Sequence, residues 1–94
     1  DILAGIGHHA RRPALVVGFA AETHDLLANA TAKRVKKGAD WIVANDVSAG
    51  VFGSDANHVH LITAAGAEDW GAQTKTDVAS TLAARIAAHF SDNR

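Results

Sequence analysis

There is no cysteine among the 94 residues. That excludes disulfides, thiolate nucleophiles and thiolate metal ligands, and it fits a reducing, cytoplasmic location. Methionine is absent too, even at the first position, where Asp1 stands. No signal peptide is visible, and with Asp1 in place of a starting methionine the chain is expected to be a fragment or a processed product. No apolar run approaches the ~20 residues that a membrane span needs. Excess charge of either sign is missing: 9 Lys+Arg against 10 Asp+Glu leave a formal net charge of −1. Such a surface has no broad attraction for nucleic acid or anionic lipid. There is no G-x-G-x-x-G, no G-x-x-x-x-G-K-[ST] and no G-x-S-x-G, and no serine–histidine or paired-carboxylate arrangement stands out. Internal repeats and low-complexity segments are absent as well.

What is present, at 48% hydrophobic residues, suffices for one small domain with one core. Residues 1–7 predict a short helix, with Asp1 as N-cap and Gly5 and Gly7 closing it. After a polar loop, Pro13 opens the run Ala14 to Phe19. A continuous apolar run of this kind predicts a strand buried on both faces of a parallel sheet. A helix is expected from about Thr23, its N-cap, to Lys37, with Asp25 in the first turn. Lys33, Arg34, Lys36 and Lys37 crowd its last turns and Gly38 follows as the C′ residue. Trp41 to Ala44 is a second apolar strand, completing a right-handed βαβ unit.

Residues 45–57 form a loop rich in Gly, Asp, Asn and Ser, long enough to be functional. His58 to Thr63 alternates as a third strand. A turn around Ala65 to Asp69 precedes a short edge strand beginning near Trp70. The last helix runs from about Lys75 to Phe90, with Val78, Leu82, Ile86 and Phe90 on one apolar stripe. The fold class is therefore α/β: a βαβ unit, a further strand or hairpin, and a C-terminal helix.

In open parallel sheets, ligands bind beyond the carboxyl ends of the strands. Those ends here are Gly18-Phe19 and Ala44-Asn45-Asp46. Phe19 has two readings, an aromatic platform for a base or sugar, or a core residue. Asn45 and Asp46 either bind or make an Asx turn. Lys33 and Lys37 are four apart and share a helix face. Together they suit a polyphosphate, yet spacing alone favours ordinary surface lysines that complement the helix dipole. His58 and His60 alternate on one strand face, and His8 and His9 are adjacent. A His-x-His pair is a common piece of metal sites. With no third ligand at a diagnostic spacing, these histidines are read as polar residues on the outer face of an edge-side strand, and no metal ligand is assigned.

Three blocks carry more than pattern: Val16-Val17-Gly18-Phe19-Ala20-Ala21-Glu22-Thr23; Ala32-Lys33-x-x-x-Lys37-x-x-Asp40; and Ile42-Val43-Ala44-Asn45-Asp46-Val47 running into Phe52-x-Ser54-Asp55-x-Asn57. In order and spacing they resemble phosphopantothenoylcysteine synthetase (phosphopantothenate–cysteine ligase), over nearly the whole chain. In bacteria that enzyme is usually the C-terminal domain of a bifunctional coenzyme A biosynthesis flavoprotein whose N-terminal domain is the decarboxylase. The resemblance implies the C-terminal half of a Rossmann-like domain, with residues 1–94 as a fragment of the synthetase domain. It implies a CTP-dependent ligase joining 4′-phosphopantothenate to cysteine through an acyl-cytidylate, with Mg²⁺ on the triphosphate and FMN confined to the absent decarboxylase domain. It implies a cytoplasmic homodimer or higher oligomer with no nucleic-acid or membrane partner.

Carried over by position, Asp1, Ile2 and Leu3 match a nucleotide-contacting turn. Phe19 matches a nucleotide-contacting phenylalanine, and Lys33 and Lys37 match two nucleotide lysines. Asn45 and Asp46 match a family block and are placed behind the first contacts. No catalytic residue is assigned. The family's glycine- and serine-rich phosphate loop, its acyl-cytidylate asparagine and a further basic motif are missing from this chain, so the fragment alone is expected to be inactive. The alternative is a non-catalytic nucleotide-binding or dimerisation module of α/β type. In a simple βαβ unit, Lys33 and Lys37 are also expected to lie far from Phe19.

Overall fold

A computed structural model describes residues 1–47 and 56–92. Helix α1 (Ile2–Gly7) is followed by β1 (Val17–Glu22), α2 (Leu26–Lys37), β2 (Trp41–Asp46), β3 (Asn57–Thr63), β4 (Gly66–Gln73) and α3 (Lys75–Asp92). The four strands lie in the order β1-β2-β3-β4. β1 and β2 are parallel, while β2–β3 and β3–β4 are antiparallel. The sheet is thus mixed: a βαβ unit extended by a hairpin, as expected for the α/β class.

Two cores flank the sheet, because successive strand residues point to opposite faces. Val16, Ala30, Ala39, Ile42, Ala44 and Ile62 are buried on one face, under Leu3 of α1 and Leu26 of α2. Trp41, Val43, Val59 and Leu61 are buried on the other, against Val78, Leu82 and Ile86 of α3. The predicted α3 stripe is therefore real through Ile86, but Phe90 is exposed. α3 begins with a reciprocal cap: the Asp77 amide donates to Thr74 Oγ1, and the Thr74 amide donates to the Asp77 carboxylate, both at 3.1 Å.

The structure corrects several sequence expectations. β1 begins at Val17 and runs to Glu22 instead of spanning 14–19. Among the described residues it is an edge strand, so Phe19 is 66% exposed rather than covered on both faces. Because β1 takes Glu22, the segment Thr23 to Asp25 must serve as the turn, and α2 starts only at Leu26. Thr23 is not its cap; the Thr23 hydroxyl meets His24 Nδ1 at 3.1 Å. Asp25 holds the cap position with φ 46 and makes no side-chain capping bond. At the other end Gly38 takes φ 67 and ends α2 as predicted.

The turn expected over 65–69 is only Ala64-Ala65, closed by Gly66 at φ 133. Trp70 sits within an eight-residue β4 rather than starting a short strand. β3 lies between β2 and β4, so it is an inner strand and not an edge-side one. Of the expected loop 45–57, Asn45, Asp46 and Asn57 belong to strands. Positions 48–55, including Phe52, Ser54 and Asp55, lie outside the described residues.

One polar clamp joins the ends of α1, α2, β1 and β2. Arg12 donates to the carbonyls of Gly7 at 3.1 Å and Gly38 at 2.8 Å, and pairs with Asp40 Oδ2 at 2.5 Å. The same Asp40 oxygen accepts from the Val16 amide at 2.8 Å. On the other face Arg85 binds Glu68 through three short contacts and lies 4.8 Å from the Trp41 ring centroid. Arg85, followed by Trp70, holds the Glu68 carboxyl below its ordinary value of 4.5 despite partial burial.

Removing the Arg12 clamp leaves Asp40 half-buried and under-paired. Arg12→Ala is expected to cost about 2 kcal/mol in chemical denaturation, and Asp40→Asn to cost less because an amide oxygen still accepts from Val16. Glu68 has a depressed folded pKa, so its contribution is present above 4.5 and fades as pH falls through the lower folded value. Glu68→Gln should therefore lose about 0.5–1 kcal/mol near neutral pH, a figure that allows for solvent screening of this part-exposed pair. The difference from the parent chain should vanish in acid, and a difference independent of pH would contradict the assignment.

Candidate functional site

Gly18 is buried where β1 passes under α1. A Cβ there would stand 2.5 Å from Leu3 Cδ2 and 2.9 Å from Ile42 Cδ1, so any larger residue would push those side-chain tips aside, and glycine lets Leu3 lie close on the strand. Gly7 likewise lets α1 touch the end of α2, since a Cβ on it would stand 2.1 Å from the Lys37 carbonyl. These two approaches bring the start of α1 alongside α2. Asp1 caps α1, accepting from the Ala4 amide at 3.2 Å, and its carboxylate also pairs with Lys37. Lys33 reaches the other way, to Glu22 at the carboxyl end of β1, with Nζ to Oε1 at 2.6 Å. Helical side chains lean toward the helix N-terminus, which is how a residue in the second half of α2 reaches that end of the sheet.

Asp1, Leu3, Lys33 and Lys37 therefore share the α2 face of β1. Lys33 thus reaches the carboxyl end of β1 through Glu22, while Phe19, expected to be remote from the lysines, lies on the other face of the strand. Neither lysine stands free, however: each is matched to its own carboxylate. Ile2 projects outward at 83% exposure. Phe19 is on the opposite face, because Gly18 and Ala20 on either side of it face the α2 core. Its ring is not a core aromatic.

Val16 O accepts from the Asp40 and Trp41 amides, and Glu22 O accepts from Val47. With the two-residue period of a strand, the main-chain groups of Phe19 and Ala21 turn to the open edge. Asn45 and Asp46 end β2 directly beside Ala21 and Glu22.

Glu22 is the site residue that sequence reasoning missed. It is buried, at 7% exposure, whereas the other acidic groups among the described residues are exposed or half-buried. Alternation from Gly18 and Ala20 would have placed it on the helix face four residues on, where a lysine of α2 could meet it. Arg12 and Asp40 were also missed; Asp40, quoted in the lysine block, is structural.

A second cluster lies on the same face at the other side of the sheet. His58 Nε2 is 2.6 Å from Asp69 Oδ1, and His60 Nε2 is 3.8 Å from Asp69 Oδ2. The third group that sequence spacing did not supply is thus brought in by the β3–β4 hairpin. The register shifts between Val59 and His60, leaving Trp70 unmatched across the pair. Such an extra residue re-aims its neighbours, and Asp69 comes to lie opposite His60. The Gly71 amide, and then His58, hold the Asp69 carboxyl below the usual carboxylate range.

The mixed four-stranded sheet flanked by helices defines an α/β domain whose β1 edge is open among the described residues. The chain belongs to the DNA/pantothenate metabolism flavoprotein C-terminal domain family, which it matches over residues 1–90. It is 37% identical over 87 residues to the coenzyme A biosynthesis bifunctional protein CoaBC of Haemophilus influenzae, covering 92% of this chain and 22% of that protein. The CoaBC protein of Escherichia coli K12 is 46% identical over 63 residues, 65% of this chain and 16% of that one. A cysteine/cysteine sulfinic acid decarboxylase from an unknown prokaryotic organism is 37% identical over 90 residues, 92% of this chain and 25% of that one. The crystal structure of the C-terminal domain of a CoaBC protein superposes with a TM-score of 0.77 at 32% identity, covering 98% of this chain and 42% of that one. The chain thus corresponds to the C-terminal part of CoaBC proteins and spans about a fifth of the curated relatives' length. Among the described residues no helix is long and apolar enough to cross a membrane.

Lys33→Ala would leave Glu22 buried without its cation, at an expected cost of about 1–2 kcal/mol. Glu22→Gln in the same chain should restore most of that loss. A double variant as unstable as the single one in thermal denaturation would show that the pair is not coupled.

Proposed function

We propose that this chain forms one wall of the nucleotide site of a phosphopantothenate–cysteine ligase in coenzyme A biosynthesis. The observation that carries this reading is the convergence of Asp1, Leu3, Lys33 and Lys37 on one face of β1, the strand whose open edge presents Phe19. A nucleotide beyond the carboxyl end of β1 can lay its base or sugar against the Phe19 ring and take hydrogen bonds from the free main chain of β1. CTP is the nucleotide that the family resemblance favours.

The lysines act on the phosphates. Each ammonium has three donors, so Lys33 can keep Glu22 while turning its remaining hydrogens to a phosphate oxygen. Glu22, buried beside it, holds that lysine ready before substrate arrives, and Asp1 does the same for Lys37. This is charge positioning prepared in advance, the main resource for a reaction at phosphorus.

In the reaction, a carboxylate oxygen of 4′-phosphopantothenate attacks the α-phosphorus of CTP. The bond to the β-phosphate oxygen breaks, and pyrophosphate leaves. The amine of cysteine then attacks the acyl carbon, the bond to CMP breaks, and the nitrogen loses a proton as the amide forms. Lys33 and Lys37 offset negative charge on the nucleotide in the first step. Mg²⁺ would travel with the triphosphate; no residue of this chain is assigned to it. FMN belongs to a separate decarboxylase domain and takes no part in this reading.

The described residues contain no phosphate-cradling glycine loop. The chain is accordingly a fragment of the synthetase domain that binds without catalysing, and the working ligase is a cytoplasmic homodimer or higher oligomer.

CTP titrated into the chain with Mg²⁺ should bind, and Lys33→Ala/Lys37→Ala should weaken binding roughly tenfold or more, as loss of two charge-assisted contacts implies. Unchanged affinity would refute the lysine roles. Supplied with CTP, 4′-phosphopantothenate and cysteine, the chain should release neither CMP nor pyrophosphate; their appearance would refute its inactivity.

A further inference from the structure

We propose that His58, His60 and Asp69 form a binding site for a borderline divalent transition metal such as Zn²⁺, separate from the nucleotide edge. Their ligand atoms, two imidazole nitrogens and a carboxylate oxygen, all lie within 4.8 Å of one another. Around a tetrahedral zinc with bonds of roughly 2 Å, ligand atoms stand about 3.3 Å apart. The 2.6 Å contact of His58 with Asp69 must open slightly, and the 3.8 Å contact of His60 must close slightly. Small rotations of three side chains achieve both.

The geometry is prepared by the sheet. His58 and His60 alternate on one strand, so their rings stack at 4.8 Å between centroids with planes only 17° apart. Their Nε2 atoms consequently face the same carboxylate. His60 Nδ1 is buried without a hydrogen-bonding partner, which leaves Nε2 as the nitrogen that this ring presents. The Gly71 amide donates to Asp69 Oδ1 at 2.8 Å and orients the carboxylate from behind, as outer groups commonly orient metal ligands. All three ligands stand on paired strands rather than on a loop, so little ordering is required on binding.

The donor set selects the metal. Two imidazoles with one carboxylate suit Zn²⁺, Co²⁺, Ni²⁺ or Cu²⁺, whereas Mg²⁺ and Ca²⁺ prefer oxygen alone. The Asp69 side chain is 60% exposed and that of His58 47%, so further positions on the metal open to water or a small ligand. Other histidines are occupied: His8 Nε2 meets the Lys36 carbonyl at 2.8 Å, and His9 Nδ1 accepts from the Arg11 amide at 3.0 Å. His58 also pairs across the sheet with Asp46, so the site borders the carboxyl end of β2.

The test is calorimetric titration of Zn²⁺ alone into the intact chain in a non-chelating buffer, with Co²⁺ visible absorption as a second readout. One equivalent should bind. His58→Ala and Asp69→Asn should each weaken it roughly tenfold or more, the scale of losing a ligand or its support. Both side chains are exposed enough for the variants to fold, which circular dichroism checks. His8→Ala/His9→Ala should bind as the parent does, and excess Mg²⁺ should not displace Zn²⁺. No binding, binding indifferent to His58→Ala, loss in the His8/His9 variant, or displacement by Mg²⁺ would each overturn the proposal. The cluster would then be a hydrogen-bonded His–Asp pair and nothing more.

Discussion

The Asp40 carboxylate holds the two ends of the βαβ unit in one place. A single oxygen accepts both the Arg12 guanidinium and the Val16 amide, and Arg12 uses its other nitrogen on the carbonyls that end α1 and α2. Helix C-termini leave carbonyls without partners inside the helix, and here one cation satisfies two of them. The entry of β1, the turn into β2 and both helix ends are thereby tied together. The position of α1 on β1, and so of Asp1 and Leu3, follows from that tie. So does the rotation of α2, which sets where Lys33 and Lys37 emerge.

On this frame the proposed nucleotide edge is assembled from opposite charges. Lys37 is matched by Asp1 and Lys33 by Glu22. Bare ammonium groups at one face would repel each other and wander; matched to carboxylates, they are held in place, as the proposed phosphate contacts require. Burial of Glu22 under the end of β1 makes the second pair the more constrained. The aromatic component sits across the strand from the cations, on the α3 side of the sheet, where Phe19 is left exposed. A ligand served by both must wrap the open edge of β1, where the main-chain groups of Phe19 are free.

Much of the fold was legible in the residues. The apolar stripe Val78-Leu82-Ile86 lies on α3 where a helical period requires. Gly38 ends α2 with a positive φ, and Trp41 to Ala44 is a buried strand. The errors cluster where local pattern and pairing disagree. Ala20-Ala21-Glu22 has weak strand character, yet parallel pairing with β2 through Asp46 carries β1 to Glu22. That extension consumes residues that Thr23 would otherwise have capped. Asp69 resembles a turn residue by composition, but hairpin pairing with β3 makes it part of a strand.

By itself the sequence determined the class of fold, the order of helices and strands, and the family blocks that single out Phe19, Lys33 and Lys37. Those are local properties: periodicity, capping chemistry and residue order along a chain. Only the tertiary structure decided that Phe19 is exposed on the face away from the lysines, that Glu22 and Asp1 hold those lysines, and that Asp69 joins His58 and His60. Each of these depends on the register between segments distant along the chain. A register is set by the sum of packing on both sheet faces, and one unmatched residue, Trp70 here, changes which side chains meet.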